Sequence, residues 1–161
     1  MLFKVNPVVR SVVRFAGNRP WKVTRLNHIA IAVPDLEKAT AFYRDVLCAT
    51  VSEPKPIKEH GVTTVFVSLN NTNIELIQPL GENSPISKFL ENNKNGGLHH
   101  VCVEVDNVYN CMEHLKAKNI RTLTPEPRIG AAGAPVIFLH PKDTCSVLIE
   151  MEHVPENSGS H

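Results

Sequence analysis

Two histidines and two glutamates stand at matching places in the two halves of this 161-residue chain. His28 opens a short apolar run in residues 26–47 (LNHIAIAVPDLEKATAFYRDVL), and His100 does the same in residues 98–118 (LHHVCVEVDNVYNCMEHLKAK). Glu75 lies among apolar neighbours in residues 63–77 (TTVFVSLNNTNIELI), as does Glu150 in residues 134–151 (APVIFLHPKDTCSVLIEM). Glu75 follows His28 by 47 residues, and Glu150 follows His100 by 50. A carboxylate in an apolar strand is costly to bury unless it is paired or bound to metal. One such glutamate is explained by a strand whose polar face meets water. Four polar residues at equivalent points of a repeat are better explained by convergence on one divalent ion. Imidazole and carboxylate donors together suit Co²⁺, Mn²⁺, Ni²⁺, Zn²⁺ or Fe²⁺.

The elements that must position these groups repeat as well. Each histidine-bearing run ends at a valine and an aspartate, Val33-Pro34-Asp35 and Val105-Asp106. The two aspartates stand where helix N-caps are wanted. The first helix is expected to bury a stripe of Leu36, Ala39, Phe42, Tyr43, Val46 and Leu47, the second a stripe of Val108, Cys111, Met112 and Leu115. Residues 51–53 read as a short strand after the first helix. The two glutamate-bearing segments read as hairpins with polar turns at Asn70-Asn71 and at residues 140–143. Of the adjacent pair His99 and His100, strand alternation points one toward the site, and the repeat register pairs His100 with His28. The fold class is therefore α+β: two tandem βαβββ modules, residues 25–80 and 97–152, with the metal site between curved mixed sheets.

Composition is that of an ordinary soluble domain, 42% hydrophobic and 20% charged, with no stretch long and apolar enough to span a membrane. Charge is uneven. Five of the 17 Lys and Arg, and none of the 16 Asp and Glu, fall in residues 1–22. The remainder is acidic, which argues against nucleic-acid binding. That opening segment, with arginines spaced between apolar residues, reads as a mitochondrial transit peptide. Cys48, Cys102, Cys111 and Cys145 form no CxxC pair and read as buried free thiols of a reducing compartment. Residues 153–161 read as a flexible tail.

RLNHIAIAVPDLEKATAFY, IELIQPLGENSPISKFLENNKNGGLHHVCVEVDNV, VIFLHPKD and SVLIEME resemble the methylmalonyl-CoA epimerases of the vicinal oxygen chelate superfamily, which also holds glyoxalases, extradiol dioxygenases and bleomycin-resistance proteins. The likeness covers nearly all of residues 25–152. Carried over position by position, it implies that His28, His100 and Glu150 bind the metal, with Glu75 the fourth ligand, where some bacterial epimerases have Gln. It implies Co²⁺ as the ion, methylmalonyl-CoA as the substrate, a homodimer, and residence in the mitochondrial matrix. Bacterial relatives carry a catalytic glutamate where this chain has Thr64.

The implied reaction removes the C2 proton of methylmalonyl-CoA and returns it on the other face, interconverting the (2R) and (2S) forms. A divalent ion would stabilise the intermediate enolate. Glu150 is the first choice of base, with Glu75 a candidate for the opposite face. Arg128 and Lys142 are candidates for the substrate's phosphates or carboxylate, and residues 130–133 (GAAG) for a mobile loop near it. Three rival classes remain open: another enzyme on this fold, either a glyoxalase or an iron oxygenase with two histidines and one carboxylate, the latter disfavoured by a fourth ligand at Glu75; a non-catalytic binding module, which would not need the quartet; and a purely structural domain, which the doubled His/Glu pattern disfavours.

Overall fold

The computed structural model describes residues 20–155. The expected leader lies outside the described residues except for its last three positions, and so does the expected tail from residue 156 onward. Strand β1 (Val23–Ala32) buries His28, Ala30 and Ala32 on one face, as period-two alternation requires. It leads to helix α1 (Leu36–Ala41), short strands β2 (Thr50–Val51) and β3 (Lys55–Ile57), and the hairpin of β4 (Val62–Ser68) with β5 (Asn73–Pro79). Module two repeats this plan with β6 (Gly97–Val105), α3 (Val108–Ala117), β7 (Arg128–Ile129), β8 (Pro135–Leu139) and β9 (Leu148–His153). In the crossing segment lies α2 (Ser87–Asn92), a helix the sequence reading did not anticipate.

All nine strands form one open mixed sheet in the order β2-β4-β5-β1-β6-β9-β8-β7, with β3 also on β4. Within the modules β1 runs parallel to β5 and β6 parallel to β9. The modules join through the antiparallel β1–β6 pair, which brings the two histidine-bearing strands side by side. One face of the sheet carries α1 and α3, while α2 packs through Phe89 and Leu90 against Ala30 and Ala32 on the other. Val65, Val67 and Leu76 pack with Leu36 of α1, while Ile137, Leu139 and Met151 pack with Val108, Cys111 and Met112 of α3. Truncating a wholly buried residue such as Leu76 or Ile137 to alanine would cost about 2–5 kcal/mol. The opposite face carries the four repeat-matched polar residues.

Three expectations need correction. Asp35 does cap α1, accepting from the Lys38 N–H at 3.0 Å. Asp106 does not cap α3, because the helix starts one residue later and Asn107 accepts from the Asn110 N–H at 2.9 Å. Asp106 instead accepts from the Lys22 N–H at 2.8 Å. The first apolar stripe also breaks. After Ala41 the chain widens into a π-helical turn over Phe42–Val46, closed by Leu47 N–H donating to the Phe42 carbonyl at 3.1 Å. A turn with an i→i+5 bond rotates later residues off the buried stripe. Phe42, Val46 and Leu47 are accordingly 50%, 66% and 55% exposed. Of the four thiols, Cys102 and Cys111 are buried, but Cys48 and Cys145 are exposed.

The start of the described chain belongs to the fold. The Asn110 amide donates to the Pro20 carbonyl at 2.9 Å, and Trp21 packs against the core under α3.

Candidate metal centre

His28, Glu75, His100 and Glu150 meet at one buried point, each less than a tenth exposed. The His28 and His100 Nε2 atoms lie 3.2 Å apart. Glu75 Oε2 is 3.3 Å from His28 Nε2 and 3.8 Å from His100 Nε2. Glu150 Oε2 is 3.1 Å from His100 Nε2 and 3.6 Å from His28 Nε2. Each carboxylate thus reaches both imidazoles and lies nearer the one from its own module. The sheet explains why: Ala30 pairs with both Glu75 and His100, and Cys102 pairs with both His28 and Glu150.

Four such atoms can share an ion. Bonds of about 2.1 Å place ligand atoms about 3.4 Å apart in a tetrahedron and about 3.0 Å apart at the cis positions of an octahedron. The separations of 3.1, 3.2 and 3.3 Å fall in that range, and those of 3.6 and 3.8 Å lie just beyond it. The protonation pattern points the same way. Asn27 Nδ2 donates to Glu104 Oε1 at 2.8 Å, so the Asn27 Oδ1, 2.8 Å from His28 Nδ1, must be an acceptor. His28 Nδ1 therefore carries its proton, and its Nε2 lone pair faces the cluster. Lone pairs and carboxylate charge converge on a dry spot, which calls for a cation.

The electrostatics reflect that arrangement. Burial lowers the His28 pKa, but the hydrogen bond and charge of Glu75, with the charges of Glu150 and Glu152, outweigh it and raise the value. Burial pushes the Glu150 carboxyl up, and the His100 hydrogen bond and charge, with His28 and the Cys102 thiol, bring it below the ordinary value. Burial and the Glu150 charge push the Cys102 thiol far up, so it stays protonated. Its sulfur lies within 4.8 Å of the His28 and Glu150 ligand atoms.

The sequence reading missed the surroundings of these four groups. Phe66 stacks edge-on to His28 at 6.2 Å, and Phe138 to His100 at 5.6 Å. Phe66 pairs with Glu75 and Phe138 with Glu150 across their hairpins. A signal existed: each hairpin sets one phenylalanine opposite its glutamate. Glu104 and Glu152 are also buried, and Glu104 binds Arg25 Nε at 2.9 Å. Burial, then the Glu150 charge, raises the Glu152 pKa. Thr64 is buried on β4, its hydroxyl facing the Lys55 carbonyl at 3.5 Å. Arg128 and Lys142 are exposed. Residues 130–133 form the tight turn between β7 and β8, with Gly130 N–H donating to the Ala134 carbonyl at 2.8 Å.

Residues 27–138 match the glyoxalase/bleomycin resistance protein/dioxygenase superfamily. The mitochondrial methylmalonyl-CoA epimerase of Mus musculus is 62% identical over 132 residues, covering 82% of this chain and 74% of that protein. The ethylmalonyl-CoA/methylmalonyl-CoA epimerase of Cereibacter sphaeroides is 53% identical, covering 82% and 99%. A solved methylmalonyl-CoA epimerase in complex with methylmalonyl-CoA and NH₄⁺ superposes with a TM-score of 0.77 at 31% identity, covering 87% and 100%.

Proposed function

The chain belongs to the glyoxalase/bleomycin resistance/dioxygenase superfamily, among its methylmalonyl-CoA epimerases, and on that footing we propose how its four converging side chains perform the epimerisation. The substrate is methylmalonyl-CoA, whose C2 proton is acidified by the flanking thioester carbonyl. Carrying the reading is one observation: the two modules deliver matched His/Glu pairs whose ligand atoms lie 3.1–3.8 Å apart between imidazoles and carboxylates.

His28, His100, Glu75 and Glu150 would hold one divalent ion; the family resemblance makes Co²⁺ the proposed occupant, and the N and O donor set is compatible with it. When bound, the ion supplies Lewis-acid stabilisation of the enolate charge, worth several kcal/mol. Glu150 takes the C2 proton on one face. Glu75, from the other module, gives up the proton it carries in this direction to the opposite face, and Glu150 keeps the one it took, so the reverse turnover runs with the roles exchanged. Thr64 is no substitute base, since a hydroxyl held against a backbone carbonyl has no basicity near neutral pH. Phe66 and Phe138 wall the two imidazoles, keeping water from the carbanion and stiffening the ligands.

The protein works in the mitochondrial matrix, and the leader ends upstream of Pro20, because Pro20, Trp21 and Lys22 are tied to α3 and Asp106. A single diastereomer of methylmalonyl-CoA incubated with the protein in D₂O should gain deuterium at C2 and yield the other diastereomer. Neither change would reject the assignment.

A further inference from the structure

Three register shifts interrupt the central β1–β6 pair: one passes over Thr24, and the other two fall at the residue before a cluster histidine. Along the pair, Leu26 faces Val103 and His28 faces Cys102, so Asn27 is passed over on β1. Further along, Ala30 faces His100 and Ile31 faces Leu98, so His99 is passed over on β6. A bulged residue escapes strict alternation, and bulges near active sites re-aim side chains. Both escapees turn to the same task. Asn27 Oδ1 lies 2.8 Å from His28 Nδ1, and His99 Nδ1 lies 2.9 Å from His100 Nδ1.

We propose that Asn27 and His99 are an equivalent pair of positioning residues, each set on a bulge to hold its neighbour's Nδ1–H and aim the Nε2 lone pair into the metal centre. The proposal rests on the metal reading above. The two modules solve one problem with different chemistry. Asn27 is itself fixed by Glu104, which Arg25 anchors at 2.9 Å, so the chain of hydrogen bonds ends in an ion pair. His99 is packed edge-on against Phe89 at 5.2 Å, and its Nδ1 faces the His100 Nδ1 at 2.9 Å. Partners of this kind fix ring orientation and tautomer, and their loss costs about 10–100-fold in metal affinity.

The swap between modules makes the test. Asn27→Leu and His99→Leu should each weaken Co²⁺ binding about 10–100-fold in chelator competition, with far-ultraviolet circular dichroism unchanged. His99→Asn supplies an amide oxygen, as module one does, and should recover most of the lost affinity. In Zn²⁺-loaded protein, long-range ¹⁵N–¹H correlation should show a hydrogen-bonded Nδ1 proton on both His28 and His100. Asn27→Leu should disturb the His28 signal alone, and His99→Leu the His100 signal alone. Wild-type affinity in both leucine variants, or failure of His99→Asn to improve on His99→Leu, would overturn the positioning role. Wild-type protein that takes up no Co²⁺ would overturn the metal centre and this proposal with it.

Discussion

Replacing Gly96 by alanine tests how tightly the end of β1 is clamped to the strand that carries His100. Gly96 has φ +83°, and a Cβ there would lie 2.5 Å from the Ala32 carbonyl oxygen and 3.3 Å from Pro34 Cδ. Gly81 is the natural control, with φ +81° and nothing within 4 Å of its would-be Cβ. The backbone cost of a left-handed residue, about 1–2 kcal/mol, is therefore common to both substitutions. Gly96→Ala alone adds a contact with backbone that cannot swing aside, a forced-packing cost of about 1–3 kcal/mol. Relief would require β6 to move off β1 beside the Ala32–Gly97 pair, three residues before His100. Urea unfolding should place Gly96→Ala on the order of 1 M below Gly81→Ala, within about 0.3–3 M for a slope of about 1–3 kcal/mol per molar. Co²⁺ affinity should fall in Gly96→Ala and hold in Gly81→Ala. Equal midpoints for the two variants would refute the steric argument.

Glu150→Gln should slow C2 deuterium exchange by at least ~10²–10⁴-fold, the loss of a general base, with no recovery at saturating Co²⁺; full recovery would make Glu150 a ligand only. His28→Ala, which removes a ligand and no base, should recover partly at high Co²⁺. Metal affinity should fall with acid, because the only free site for a second proton on His28 is the ligand atom Nε2. Below the raised pKa of His28 the loss should approach tenfold per pH unit, or about 1.4 kcal/mol, and above that value the affinity should level off. Chelator competition from pH 6 to 8 checks this, and His28→Ala should flatten the profile. Native protein should show two fast thiols toward Ellman's reagent, Cys48 and Cys145. Cys102 and Cys111 should react only on unfolding, the latter pushed up to about 12 by burial and the Asp106 charge.

The convergence of two histidines and two glutamates was legible because it is encoded twice. A histidine at the start of a strand and a glutamate in a later one survive as a repeat offset, 47 residues in one half and 50 in the other. The hairpins and the stripe of α3 were legible for a related reason, since side-chain period reflects local backbone geometry. What escaped depends on pairing between distant segments. The bulges at Asn27 and His99 exist only in the register of β1 against β6, and alternation within either strand cannot show them. The repeat register singled out His100, whose Nε2 lies 3.2 Å from that of His28, while alternation hid that the His99 ring turns to the same side, its Nδ1 2.9 Å from His100 Nδ1. The exposure of Phe42, Val46 and Leu47 follows from one widened turn, which interrupts a periodicity that the residues themselves continue. Glu104 and Glu152 look like solvent-facing strand residues in sequence, yet both are buried, Glu104 held by Asn27 and Arg25 from the neighbouring strand.

The most direct measurement is a titration of metal-free protein with Co²⁺, following deuterium incorporation at C2 of methylmalonyl-CoA in D₂O. Two matched His/Glu pairs at one point predict a rate that rises in proportion to added Co²⁺ and breaks at about one equivalent per chain, as a single ion held by these protein donors with positions left for substrate requires. Full exchange in the metal-free protein, or the same break in His28→Ala, would contradict a metal centre held by these residues.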